Sequence, residues 1–340
     1  MDEEFDWFVQ AKHGNTGTNC SKAWRITAAR HVRPFRTSTL AKESRELILA
    51  AAQEMGYRPN PHARALKRQR TGIVALWIPD QISTHYNQVS RELSRLVKQT
   101  GMELIVSEIG GTDLSQIWSN VPVDGIFAVD AAELAQRELE ALSGKSIPVV
   151  SVGTFCSDKS DSVQVDLTTG TAEAMKHLID SGYRRIAHAT FVQTDGAHKS
   201  RRMGYVKAMH EAGLQPEFIF YPVRKDQRAN SRRAIKEYVS ANGLPEAIFC
   251  HSDDATLGIY RGLCDLRIRI PNQVALVGCD GIDVTQYLEV PLTTIVQPVP
   301  EMCAKAWEFL KERIENPTLA LRQLSLPPTL VIRESSRRTS

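Results

Sequence analysis

The stretch Gly72–Val106, GIVALWIPDQISTHYNQVSRELSRLVKQTGMELIV, carries one strand–helix–strand unit. Ile73–Ile78 is an unbroken apolar run, as in a strand buried on both faces. Val89, Leu93, Leu96 and Val97 then recur at helical spacing, and Gly101 stops that helix. Leu104–Val106 opens the next apolar run. Further strand-like runs follow at Gly125–Val129, Ile147–Val152, Arg185–Thr190, Ala247–Cys250 and Val274–Val277. Helical periodicity fills Leu167–Ser181, Ser200–Glu211, Asp253–Asp265 and Glu301–Ile314. Alternation of this kind builds parallel sheets with helices on both faces. One sheet of about ten parallel strands is disfavoured against two of about five. The predicted fold class is therefore α/β, with two doubly wound parallel-sheet subdomains. A ligand would lie between them, at the carboxyl ends of the strands.

The chain has 340 residues, too many for one ordinary domain. Hydrophobic content of 42% and charge of 24% fit a globular class. No apolar run approaches the ~18–20 residues of a membrane span. The start, MDEEFDWFVQAKH, is acidic and lacks the apolar stretch of a secretory signal, so a cytoplasmic location without a membrane partner is expected. None of the six cysteines forms a C-x-x-C pair, which suits a reducing compartment without disulfides or zinc.

The net charge of +3 hides an asymmetry. Residues 10–37 hold two lysines and four arginines with no acid, and Arg58, Arg64, Lys67, Arg68 and Arg70 form a second acid-free basic run. A basic head on a near-neutral body suggests contact with a polyanion, although a solvated tail would look the same. Glu43–Met55 reads as a short amphipathic helix stopped by Gly56, followed by a Pro59/Pro61 turn and a further helical turn or two over His62–Lys67. Catalytic patterns are missing. There is no G-x-G-x-x-G, H-E-x-x-H or G-x-S-x-G, and Gly14–Lys22 lacks the glycine and preceding strand of a phosphate loop. An enzyme is not expected, nor is a cofactor or metal.

The run Ala50–Leu66, AAAQEMGYRPNPHARAL, resembles the last DNA-domain helix and hinge helix of the lactose-repressor/galactose-repressor family of bacterial transcription regulators. Collinear matches follow at Thr71-Gly72-Ile73-Val74, Val123-Asp124-Gly125-Ile126, Ile147-Pro148-Val149-Val150, Gly182-Tyr183-Arg184-Arg185-Ile186-Ala187, Val277-Gly278-Cys279-Asp280, Pro291-Leu292-Thr293-Thr294-Ile295 and Pro328–Ser335. The resemblance covers roughly residues 38–335. It implies a periplasmic-binding-protein-like body behind a small helical DNA-binding head. It also implies a regulator, expected to be a repressor, with a double-stranded DNA operator, a small-molecule effector such as a sugar, and a second copy of the chain as partners. The alternative is a cytoplasmic small-molecule sensor without functional DNA binding. The family's helix-turn-helix pattern is not found in Ser21–Arg36, where Pro34 would break a helix.

The expected organisation is an atypical basic segment at 1–37, disordered or a helix-turn-helix remnant, then a DNA-domain helix at 38–60 and a hinge helix with linker at 61–71. The N-subdomain is expected at 72–165 with 297–324, the C-subdomain at 166–296 with 325–335, and a tail at 336–340. Chain crossings are expected near Val163–Asp166, Thr293–Pro298 and Leu324.

For DNA, the resemblance implies Leu66 as a minor-groove wedge, with Arg64, Lys67, Arg68 and Asn60 of the hinge motif beside it. The plainer reading packs Leu66 on the body. For the effector, it implies Arg201 as a pocket arginine rather than a surface one. Asp280 closes a buried run, so it stands at a strand's carboxyl end. Asp253 is divided between ligand contact and capping the next helix with Ser252, whose own reach to a ligand is short. His85 and Tyr86 stand where relatives carry aromatics over the ligand, or else they cover a helix start. Gly153 and Thr154 stand where some relatives carry an acidic ligand residue.

Overall fold

The computed structural model describes residues 70–79, 81–109, 122–131, 147–154, 159–191, 199–222 and 226–338. The readings for 1–69, including Leu66, Arg64, Asn60, Lys67 and Arg68, lie outside the described residues. From Arg70 onward the chain forms one compact unit containing two sheets.

The described elements run β1 (Ile73–Ile78), α1 (Thr84–Lys98), β2 (Glu103–Glu108), β3 (Gly125–Val129), β4 (Val149–Gly153) and β5 (Asp161–Val165), then α2 (Leu167–Asp180), β6 (Ile186–Phe191), α3 (Lys199–Glu211), β7 (Glu217–Tyr221), α4 (Gln227–Asn242), β8 (Ala247–Cys250), α5 (Asp253–Asp265), β9 (Ala275–Asp280) and a 3-10 turn (Asp283–Gln286). After these come β10 (Thr293–Val296), α6 (Val299–Glu315), β11 (Gln323–Leu326), β12 (Thr329–Val331) and a last 3-10 turn (Glu334–Ser336). The first sheet has the order β11-β5-β4-β3-β1-β2 and the second β12-β10-β9-β8-β6-β7. Among the described residues every pairing is parallel except β10 with β12. The predicted pair of doubly wound sheets is present, and the chain passes between them after β5, after β10 and after β11.

The unbroken apolar runs form the buried strands because parallel strands covered by helices have no wet face. Val74 through Trp77 are fully buried, as are Ile248, Phe249, Leu276 and Val277. Helix α6 lies on the first sheet, with Trp307 against Phe127 at 6.1 Å between ring centroids. Its C-terminal half is tied down by Asp161, a fully buried carboxylate that accepts from Arg313 at 2.9 and 3.1 Å and from the Arg322 backbone N–H and side chain at 2.8 and 3.1 Å.

Two expectations need correction. The boundary at 324/325 falls inside β11, because Leu326 is still in parallel register with Val165. The crossing comes at Pro327-Pro328, where no backbone N–H remains to extend the ladder. The expected tail from 336 is packed as far as Arg338. Ser336 is buried against His177 and Thr293, and the Arg338 guanidinium lies 5.3 Å from the Tyr183 ring. The chain's entrance to the body is also fixed, since Asp124 accepts from Thr71 N and Oγ1 at 2.7 and 3.0 Å and from Gly72 N at 2.8 Å. Among the described residues no helix is long and apolar enough to cross a membrane.

Candidate functional site

In both sheets the first five strands share one winding, β2-β1-β3-β4-β5 and β7-β6-β8-β9-β10. The winding direction reverses between β1 and β3 and between β6 and β8, and such switch points are where doubly wound sheets open a crevice. The residues at these carboxyl ends are Asp130 after β3, Phe191 closing β6, His251 after β8 and Asp280 closing β9. The first turn of α1, with His85 and Tyr86, follows the end of β1.

Arg201, on the first turn of α3, is only 6% exposed. Its Nε donates to Cys279 Sγ, its Nη1 to His251 Nε2 and its Nη2 to Asp280 Oδ1, each at 3.3 Å. Burial works against its charge, but Cys279, Asp280 and Asp130 outweigh that and raise the guanidinium pKa. Arg201 is thus a buried residue, not a surface one. Asp280 accepts a further bond from Gln297 Nε2 at 2.9 Å. Burial raises its carboxyl pKa, against the pull of His85 and Arg201. It also holds φ at 124°, where a side chain is strained, beside Gly281 at 76°.

Asp253 explains how that turn is held. Its carboxylate accepts from Gly281 N at 2.7 Å, Ile282 N at 2.9 Å and Thr294 Oγ1 at 2.7 Å. It is fully buried, and burial, with Asp280 adding to it, pushes its pKa up to about 7. Gly278 makes room for it, since a Cβ there would strike the Asp253 carboxylate. Ser252 is the cap of α5, accepting from Ala255 N at 3.2 Å and donating to Gln227 at 2.9 Å. Of the two readings for Asp253, the geometry gives neither a helix cap nor a free ligand group: its oxygens are engaged in holding the loop that presents Asp280.

His85 and Tyr86 reach the same place from the other sheet. His85 is 4% exposed, and among the described residues neither ring nitrogen has a hydrogen-bond partner. Tyr86 donates to Asp130 Oδ2 at 3.2 Å, and burial raises its pKa well above the ordinary value, with Asp130 and Asp280 adding and Arg201 opposing. Asp130 Oδ1 accepts from Thr154 N and Oγ1 at 2.7 and 2.9 Å. A Cβ on Gly153 would strike that carboxylate. The Asp130 carboxylate of the neighbouring strand therefore lies against the end of β4.

Sequence reasoning missed Asp130, His251, Cys279 and Gln297. Asp130 was legible, because it closes the run Gly125–Val129 just as Asp280 closes its own. Gln297 carried no local signal. It lies on the crossing between β10 and α6, and among the described residues its buried Oε1 has no partner. Phe191, Tyr221 and His251 pack as an aromatic group at the ends of β6, β7 and β8, with centroids 4.9 and 4.8 Å apart.

Two doubly wound sheets sharing three chain crossings, with polar groups from both gathered at their carboxyl ends, define a periplasmic-binding-protein-like body. Residues 175–336 match the periplasmic binding protein-like domain family. The ribose operon repressor of Escherichia coli K12 is 30% identical over 300 residues, spanning 85% of this chain and 89% of its own length. The solved complex of the transcriptional regulator CelR with cellobiose is 25% identical at a TM-score of 0.69, covering 88% of this chain and 92% of its own. A LacI family regulator from Enterococcus faecium with bound ribose has a TM-score of 0.71 at 20% identity, over 79% of this chain and all of its own. The chain belongs to the LacI family of transcriptional regulators.

Proposed function

We propose that this chain is a ligand-responsive repressor and not an enzyme. A small molecule such as a sugar binds between the two sheets and alters the DNA affinity of the hinge at 61–71. One observation carries this reading. Polar groups of both halves, the buried Arg201 and Asp280 from one and the buried His85 with the half-buried Tyr86 and Asp130 from the other, converge where doubly wound sheets bind ligands. The relatives' names, with ribose and cellobiose in solved complexes, support it. No cofactor is required, because the effector acts by binding one lobe arrangement better than another. The Asp124 clamp on Thr71 and Gly72 gives the linker a fixed point on the first sheet. In this reading the partners are a double-stranded operator and a second copy of the chain, in the cytoplasm. The lobes are divided as 70–165 with 297–326 and 166–296 with 327–338.

A mobility-shift assay on DNA upstream of the gene tests the regulator. Binding that weakens steeply with salt is expected. Substituting Leu66→Ala, Arg64→Ala, Asn60→Ala, Lys67→Ala or Arg68→Ala in the hinge should weaken it. The second reading, a sensor that never touches DNA, is favoured by Ser21–Arg36 departing from the family's helix-turn-helix pattern. Absence of binding at low salt would select it. Thermal-shift screening of sugars, sugar acids and nucleobases, repeated on Arg201→Ala and Asp280→Ala, tests the cleft. An undiminished shift in both variants would move the effector elsewhere.

A further inference from the structure

We infer that the cleft is built for an uncharged or cationic effector rich in hydrogen-bond donors, a polyol or amino sugar, and that Asp130 sets its selectivity against carboxylates and phosphates. The inference rests on the ligand-site reading above and narrows it by counting donors, acceptors and charges.

Arg201 looks at first like an anion receptor, yet its donors are largely committed. Each of its three nitrogens already donates within the protein, to Cys279, His251 and Asp280. A guanidinium has five N–H groups, so one remains on each Nη. Its charge faces two carboxylates, since Asp280 and Asp130 both act on it. Tyr86, bonded to Asp130, feels the same two acids and Arg201, itself bonded to Asp280. Among the described residues, two carboxylates act on this one guanidinium, Asp280 by direct contact.

Among the described residues, several acceptors are also left without a donor. Gln297 spends its amide N–H on Asp280, while its buried Oε1 has no partner. Among the described residues both His85 nitrogens lack partners. Among the described residues no bond reaches Asp280 Oδ2. Tyr86 commits its proton to Asp130 and so turns lone pairs outward as an acceptor. Buried acceptors left unpaired are costly, and a ligand hydroxyl or ammonium supplies what they need. A carboxylate or phosphate supplies further acceptors and further negative charge.

Asp130 is rigid in this role. Thr154 fixes one oxygen by two bonds, Tyr86 engages the other, and side-chain-free Gly153 lies directly beneath. Its own φ of 47° is in the left-handed region, so the chain is bent to bring this carboxylate to the end of β3.

The test is calorimetric titration of the full chain with D-ribose, D-galactose, D-galactosamine, D-galacturonate and D-ribose 5-phosphate. Binding is expected among the first three and not the last two. Asp130→Asn keeps an acceptor for Thr154 but removes the charge. It should tighten galacturonate or ribose 5-phosphate about tenfold and weaken galactosamine about tenfold, the size of one charge removed at close range. Tyr86→Phe should weaken the neutral sugars without admitting the acids, which separates charge from hydrogen bonding. Tighter binding of an anion than of its neutral counterpart by the unaltered protein overturns this inference and leaves the small-molecule reading standing. Equal effects of Asp130→Asn on every charge class also overturn it. If no compound of any charge binds while operator DNA does, the small-molecule reading fails together with this one.

Discussion

Thr84 and Asp254 join the two halves of the body. The backbone N–H and hydroxyl of Thr84, at the first turn of α1, donate to the two oxygens of Asp254 in α5 at 2.8 and 2.9 Å, across 170 residues of sequence. Arg228 of α4 braces the pair, donating to Asp254 from Nε and Nη2 at 3.0 and 2.6 Å and to Thr84 Oγ1 at 2.8 Å. A carboxylate against the open N–H groups of a helix start is favoured by the helix dipole. This latch lies beside the cleft, where it contributes to closure.

Removing the latch should loosen that closure. Asp254→Ala deletes every bond in it except that between Arg228 and Thr84. The Arg228 side chain is about half exposed, so only part of the charge-assisted strength counts, on the order of 1–2 kcal/mol. The expected outcome is a larger radius of gyration by small-angle scattering and effector affinity weaker by about tenfold. Unchanged scattering and affinity would show that other contacts hold the lobes.

Asp161→Ala should be among the most destabilising single changes. It strands Arg313, whose side chain is 10% exposed, and releases Arg322 from the crossing that carries β11. Leaving a buried charge unpaired costs about 3–5 kcal/mol. Urea denaturation measures it, and a loss below about 1 kcal/mol would mean the arginines find other partners.

Gly258→Ala tests the close approach of α4 and α5. A Cβ at Gly258 would strike the Ser231 hydroxyl and the Arg228 carbonyl oxygen, a backbone atom that cannot swing aside. Overpacking of this kind costs about 1–3 kcal/mol. Because Arg228 also braces Asp254, the variant should lose some effector affinity along with melting temperature. A neutral or raised melting temperature would contradict the packing.

Acid stability should depend on His188. Burial, with Arg201 and Arg202 adding, lowers its pKa to about 3, while its Nδ1–H donates to Phe249 O at 3.0 Å and the ring stacks on Phe249. The unfolded side chain takes a proton below an ordinary pKa of about 6.5, and the folded one only below about 3. Between these values the unfolded state holds more protons, so this group's contribution falls as pH falls. Asp253, raised to about 7, acts in the opposite sense between pH 7 and the ordinary carboxyl range. The difference between two proteins isolates the histidine: His188→Phe should gain about 2 kcal/mol on the original chain between pH 7 and pH 5. Parallel pH profiles would rule the mechanism out.

The limits of sequence reading can be placed residue by residue. The apolar runs and helical spacings marked β1, β3, β8 and α5 well, because those elements are buried in the simple pattern that parallel sheets require. They did not mark β5, DSVQV, whose buried Asp161 and Ser162 interrupt the apolar run. They failed again for α4, QRANSRRAIKEYVSAN, which buries only Ser231, Ala234 and Ile235. In both cases the polar groups find partners on distant segments, and local pattern cannot register that.

Alone, the sequence determined the two-sheet architecture and the family, and it singled out Arg201 and Asp280, which the fold brings together as a buried pair. Each follows from strand ends or collinear motifs, which are local features. The tertiary structure alone decided the roles. It turned Asp253 inward to hold the Gly281 turn, brought Asp130 under Tyr86, and set Thr84 against Asp254. A carboxylate's role depends on which donors surround it and how much water is excluded, and those are fixed only when segments far apart in the chain are packed together.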